Sequence, residues 1–347
     1  MKLKRVLLIV VGMGLILAAV IAFVVYGIFF TPNTKFQAQT AYVYIPTDAK
    51  FETVMGLLDP LLENMDKFES AANRKGYNEH VKSGRYALEK GMNNNAIINS
   101  LRSRNIPVKL AFNNQETLAD LAGRVSLQIE ADSLSLLNSF QDSAFLTDNG
   151  FNEDTALSMY VPNSYEFFWN TSAEGFRERM SKEYNRFWNE KRLGKAKKMG
   201  LTPKEVNTLA SIVHKETAKV DERPRVAGVY LNRLRTGMLL QADPTVIYAI
   251  KKHTGNFDTV IKRVLYKDLE LDSPYNTYKK SGLPPGPIAM PDITAIDAVL
   301  NSEKHDYYYF VANVENFGYH KFAKTLAQHN RNKVQYIRWI NAQKINR

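Results

Sequence analysis

From Val6 to Phe30 the chain carries no charged residue, and this run constrains everything after it. As a helix rising 1.5 Å per residue it would be roughly 37 Å long, against a ~30 Å hydrocarbon core, so it can span a bilayer with some tilt. Lys2, Lys4 and Arg5 precede it. The bias of positive charge toward the cytoplasm puts a tail of residues 1–5 inside, a transmembrane helix at 6–30, and the rest of the chain beyond the membrane. A cleaved signal peptide is the competing reading. Its apolar region would be about 7–15 residues, closed by small residues. Here the run is longer and ends "YGIFFTPNTKF", with no A-x-A, so a retained single-pass anchor is expected.

The 347 residues suffice for an anchor and two modest domains, and 45% hydrophobic with 23% charged is ordinary for a folded chain. The absence of cysteine excludes disulfides, thiolate metal sites and thiol catalysis. The formal charge of +11 comes partly from the N-terminal tail and partly from "KRLGKAKK", Lys191–Lys198. Nucleic acid, an anionic membrane and an acidic polymer could each meet such charge, as could plain water. Export counts against nucleic acid.

After the linker "TPNT", strand-like alternation at "AYVYIP" is followed by "FETVMGLLDPLL", a helix broken at Pro60. "SGRYAL" reads as a strand, "NNNAIINSLRSR" as a helix and "IPVKLAFN" as a strand, giving a small α+β module over 31–113. Residues 114–160 read as a helical connector opening a larger α+β domain, 114–347. "VPNSYEFFWNTS" is aromatic and turn-rich, and Phe176–Lys198 reads as one long amphipathic helix. Thr202-Pro203-Lys204-Glu205 is a capping box with proline at the first helical position. Asp221 is a plausible cap for a helix ending at Gly237, and Asp243-Pro244 repeats the cap–proline pattern. "YYYFV" and "YHKFA", with Asn316-Phe317-Gly318 between them, suggest a hairpin.

The helix opened by Thr202 carries "SIVHKET". Leu209, Ile212, Val213 and Glu216 fall at i, i+3, i+4 and i+7, one face of a helix, so Glu216 continues an apolar stripe. His214 lies about 200° around from it and is expected at the surface. A carboxyl facing an apolar interior loses hydration and its pKa rises, which suits a general acid. The alternative is a structural Glu held by Arg233 or Arg235. No H-x-x-x-H, H-E-x-x-H, G-x-S-x-G, Walker-type or G-x-G-x-x-G motif is present, so neither a metal nor a cofactor is expected.

"LASIVHKET", "VAGVYLNRLRTGMLLQADPTVIYAI", "SPYNTYKKSGLPPGPIAMP" and "YHKFAKTLAQHN" together resemble the YceG-like family, the MltG-type endolytic murein transglycosylases. The resemblance covers about Val161–Asn332, and more loosely the small module, which in the family is LysM-like. It implies a bacterial inner-membrane protein with its catalytic part periplasmic or extracytoplasmic. It further implies cleavage of the β-1,4 bond between N-acetylmuramic acid and N-acetylglucosamine, leaving 1,6-anhydro ends. Termination of nascent glycan strands follows from it too, with peptidoglycan strands as substrate and peptidoglycan synthases as partners. The family's catalytic Glu, the one before Thr, corresponds to Glu216. Many members carry another Glu where this chain has His214.

The other matching positions have two readings each. Asp243 is a second site carboxylate or a helix cap. Gln241 and Thr245 flank it. Asn232 and Arg233 bind sugar or peptide, or brace Glu216. Tyr275, Asn276, Thr277 and Tyr278 offer hydroxyls, an amide and aromatic faces to a sugar, or pack a turn. "GLPPGPI" is a stiff loop and a candidate groove wall. His320, Phe322, His329 and Asn330 are further candidates for substrate contact. A catalytically silent peptidoglycan-binding scaffold and a muramidase are the alternatives to the transglycosylase.

Overall fold

The computed structural model describes residues 2–342. Met1 of the expected tail and residues 343–347 of the expected catalytic domain lie outside the described residues. The chain forms two compact units. One comprises the chain up to Leu110 with Leu127–Ala131 and Tyr165–Ser172; the other comprises Ala111–Ser126, Asp132–Ser164 and the chain from Ala173 on.

The first unit begins with helix α1 (Lys2–Phe29). It is the one helix among the described residues long and apolar enough to cross a membrane, and its side chains stand exposed all round, Phe23 by 79%. Its last turn is built into the module. Ile28 and Phe29 pack on the module's core, and Asn94 Nδ2 donates to the carbonyl of Ile28 at 2.7 Å. Strand β1 (Thr40–Ile45), helices α2 (Phe51–Leu58) and α3 (Met65–Arg74), strand β2 (Gly84–Glu89) and helix α4 (Asn94–Ser103) follow. β1 and β2 pair antiparallel from Thr40↔Glu89 to Ile45↔Gly84. Alternation along them turns Val43, Ile45, Tyr86 and Leu88 onto Val54, Leu58, Phe68 and Ile97. Helix α3 has no counterpart in the sequence reading. Its apolar face is only Phe68, Ala71 and Ala72 in a charged segment, but Asn64 caps it by accepting from Lys67 N.

Strand β3 (Val108–Phe112) leads to helices α5 (Leu118–Ser126), α6 (Ser133–Phe140) and α7 (Ser143–Asp148), then strand β4 (Asn163–Phe167), which pairs with β3. β4 lies inside the segment read as aromatic turns. The expected long helix is two: α8 (Ala173–Phe187) and α9 (Glu190–Met199). The chain breaks because Trp188 is buried and Asn189 caps α9, accepting from Arg192 N.

The second unit's core is built around α10 (Pro203–Glu216), which packs on α11 (Arg223–Arg235) and α13 (Ile293–Leu300). Between these lie α12 (Asp243–Thr254) and a long irregular segment, and after them the hairpin β5 (Tyr309–Ala312) and β6 (His320–Ala323) and helix α14 (Leu326–Ala342). Leu209, Ile212 and Val213 meet Val226, Tyr230, Ile296 and Val299 in one cluster. Two expected caps are otherwise employed. Asp221 accepts from the Tyr319 hydroxyl while Glu222 occupies the N-cap position without a capping bond. Asp243 is the first residue of α12, not its cap. "GLPPGPI" packs inward: a Cβ on Gly286 would stand 1.9 Å from the carbonyl oxygen of Asp154, and Ile288 N donates to Ser211 Oγ. With two-stranded sheets set among helices, the fold is α+β.

Candidate active site

The capping box that opens α10 is complete. Thr202 N donates to Glu205 Oε2 at 2.7 Å, and Glu205 N donates to Thr202 Oγ1 at 3.3 Å. From that start, helical pitch delivers Glu216 as the last residue of α10, below Val213 on the core side. The end of a helix carries partial negative charge, an unfavourable place for a carboxylate. The Tyr230 hydroxyl, from α11, donates to Glu216 Oε1 at 2.5 Å. Burial pushes the Glu216 carboxyl from 4.5 up to about 7, the charge of Asp243 adding to the rise, while Tyr230's bond and the charges of His320 and Arg233 oppose it. A group poised there is divided between acid and base near neutral pH.

Glu216 opens onto a cavity of about 430 Å³. Of the residues singled out in the sequence, Arg233, Gln241, Asp243, Tyr278, His320, His329 and Asn330 share this cavity with it. The rest of the wall is strand β5, Tyr230, Leu326 and Lys333. Gln241 holds a left-handed backbone, φ 48°, and its N–H donates to the Thr277 carbonyl. Asp243 Oδ1 accepts from the Tyr278 hydroxyl at 2.6 Å, so its side chain serves the cavity wall and not the helix cap.

Arg233 does not hold Glu216 as an ion-pair partner. It is 6% exposed, and its Nε donates to the Tyr308 carbonyl and its Nη1 to the Leu240 carbonyl, both at 2.6 Å. Thus it fastens α11 to the approach to β5, and its charge acts on Glu216 from that fixed place. Its own pKa is lowered by burial. Glu222, buried to 4% exposure, fixes His320. Oε1 accepts from His320 N at 2.6 Å, and Oε2 lies 2.8 Å from His320 Nδ1. Burial opposes ionisation of Glu222, but the bonds from His320's ring and backbone and the hydroxyl of Thr217 hold its carboxyl below the usual range.

Five expected contact residues are committed elsewhere. Asn232 Nδ2 donates to the carbonyls of His305 and Tyr307. Thr245 and Thr277 join hydroxyls in the interior at 2.8 Å. Asn276 Nδ2 donates to the carbonyls of Leu269 and Leu271, and the Tyr275 hydroxyl donates to Asp154 Oδ1. Thr245, Tyr275, Asn276 and Thr277 are buried, so they shape the loop behind the cavity and present no surface to a sugar. His214 is not a surface residue either. Its Nδ1 lies 3.1 Å from Asp292 Oδ1, with its side chain 17% exposed. Burial pulls its pKa down, against the pull of Asp292. Asp292 also pairs with Arg223 at 2.9 Å, which explains why the outward side of α10 is covered.

Tyr230 was not singled out, although it lies one turn before Arg233 on the same helix face.

The YceG-like family model matches residues 43–335. Across 325 residues the chain is 32% identical to an endolytic murein transglycosylase of Bacillus subtilis, covering 88% of this chain and 87% of that protein. An endolytic murein transglycosylase of Streptococcus pneumoniae is 39% identical over 141 residues, 41% of this chain and 25% of that longer protein. The crystal structure of a yceG-like protein of Listeria monocytogenes superposes with a TM-score of 0.57 at 30% identity, over 84% of this chain and 98% of that one.

Proposed function

The chain belongs to the YceG-like family, and from that premise we propose that it is a membrane-anchored endolytic peptidoglycan transglycosylase with Glu216 as its general acid. The observation that carries this reading is a carboxyl at a cavity wall whose pKa is raised to about 7, so that it holds a proton near neutral pH and can release it. Similarity to the Bacillus subtilis transglycosylase over most of both chains supports the same substrate class.

The reaction needs one proton delivered and one removed. Glu216 protonates the oxygen that links N-acetylmuramic acid to N-acetylglucosamine, and the C1–O bond breaks. The muramic acid's own 6-hydroxyl attacks C1, and its proton leaves to a base. The nucleophile is tethered beside the reacting carbon, which replaces a bimolecular encounter with water by an intramolecular step. The product carries a 1,6-anhydro ring, and no water is consumed. Ordinary glycosidases use a pair of carboxyls because water or an enzyme nucleophile must be provided for.

Helix α1 supports the anchor. Its exposed apolar sides have the character of a lipid-facing helix, and its last turn is fixed to the first unit through Ile28 and Asn94, which favours retention over cleavage. The basic residues ahead of it favour a cytoplasmic N-terminus. Such an anchor keeps the chain at the membrane, in keeping with a role in ending the growth of nascent strands beside the synthases that make them.

Mass spectrometry of the products tests the proposal. Purified protein incubated with peptidoglycan strands should release fragments ending in anhydro-muramic acid, and Glu216→Gln should release none. Reducing ends heavier by one water would make it a muramidase, and binding without turnover would make it a scaffold.

A further inference from the structure

Glu222 is a buried carboxylate that the acid step does not use. It lies outside the cavity wall, and each of its oxygens meets His320, one at the backbone N–H and one at the ring, with the Thr217 hydroxyl as a further donor. An ionised carboxylate only accepts hydrogen bonds, so His320 Nδ1 is the donor in this pair. Nε2 is then the ring's free nitrogen; it has no protein partner among the described residues, and the ring lines the same cavity as Glu216. Phe310 meets the ring edge-on at 5.0 Å, and Phe322 packs at 6.5 Å. The imidazole is thereby locked in position and tautomer, with a lone pair left for the cavity.

We infer that His320, oriented by Glu222, is the base that takes the proton of the attacking hydroxyl. The inference rests on the proposed transglycosylase reading and deepens it. Glu216 must begin protonated to serve as the acid, and Tyr230 already occupies its Oε1. A second group in the same cavity can take the hydroxyl proton once the link has broken. The C1–O4 bond breaks as O4 takes the proton of Glu216. O6 then closes on C1 from the face that O4 has left, and the hydroxyl proton passes to His320 Nε2. This leaves an imidazolium and a carboxylate, and a proton returned from His320 to Glu216 through water resets the site with nothing consumed. Glu222 is the positioning residue: a carboxylate on the far nitrogen fixes a histidine's tautomer and ring orientation.

The charged and titratable groups around His320 are Glu216 from α10, Glu222 at the head of α11, and Tyr230 and Arg233 within α11. Asp243, Tyr278 and Tyr309 line the same cavity, with His329 and Lys333 from α14. Asp221 and Lys219 reach the neighbouring Tyr319.

The test uses the full chain in detergent with uncross-linked peptidoglycan strands, reading kcat, KM, the pH profile and the thermal midpoint. His320→Gln should lower kcat by about 10²-fold or more, with KM and the midpoint unchanged. Glu222→Gln puts an amide, able to donate as well as accept, against Nδ1, so the ring's tautomer is no longer fixed and kcat should fall with KM unchanged. Glu222→Asp should restore it. A His320→Gln variant that keeps its kcat, or that changes only KM, overturns the inference. If that variant is active while Glu216→Gln is dead, the proposed function stands without this base. A wild-type chain with no turnover overturns both.

Discussion

The hydroxyl of Tyr230 donates to Oε1 of Glu216 across 2.5 Å, joining α11 to the last residue of α10. The bond favours the ionised carboxyl and opposes the rise that burial imposes. Tyr230→Phe removes the donor and keeps the ring. The carboxyl should then hold its proton to still higher pH. A hydrogen bond to a charged group is worth about 1.5–3 kcal/mol, which corresponds to an upward move of about one to two pH units in the basic limb of kcat/KM.

Asp243 acts in the opposite sense, since its charge raises the Glu216 pKa. Asp243→Asn retains an acceptor for Tyr278 and deletes the charge. The basic limb should shift to lower pH, and activity at pH 8 should fall relative to wild type. The same pH series with the two variants side by side checks both signs.

Holding Glu216 in its cavity has a cost for stability. Folding lifts its carboxyl from 4.5 to about 7, so the folded state binds that proton more tightly than the unfolded chain. The associated stability is full below about pH 4.5 and is lost as pH rises through about 7. At about 1.4 kcal/mol per unit, the loss is about 3.5 kcal/mol at most. Glu216→Gln should therefore melt higher than wild type at pH 8, with the gap closing toward pH 4.5. Thermal unfolding of the two proteins across that range measures it.

Arg233 bonds the carbonyls of Tyr308 and Leu240, both at 2.6 Å. Arg233→Ala strands those acceptors in the interior and should destabilise the fold by about 3 kcal/mol or more. Denaturant titration reads this directly.

His214 faces Asp292, outside the cavity that Glu216 lines. His214→Ala should keep kcat near wild type while lowering the melting temperature. Loss of kcat with an unchanged melting temperature would move His214 into the machinery.

Glu216 was legible because helical periodicity is local: three apolar neighbours at fixed spacing place the fourth position on their face. The same wheel misjudged His214, since it says which way a side chain points and not whether another element covers that side. Here Asp292, just ahead of α13, does. "YNTY" misled for a related reason. Asn276 and Thr277 are polar residues whose side chains satisfy buried backbone groups, the Leu269 carbonyl and the Ala242 N–H, and composition alone cannot separate that duty from sugar binding. The Tyr230–Glu216 bond and the Glu222–His320 pair depend on how helices and a hairpin far apart in sequence pack, and no local pattern encodes them. The α+β class was legible from the mixture of periodicities, while α3 and β4 were lost in charged and aromatic stretches.

The cavity's wall is drawn from segments made at very different times. Glu216 ends α10, but β5, β6 and α14, which packs on β5, come only near the close of the chain. Without those pieces the Glu216 carboxyl would face water, and a hydrated carboxyl keeps its ordinary pKa and is ionised at neutral pH. The proton that the site holds is therefore a property of the assembled cavity and not of α10 alone.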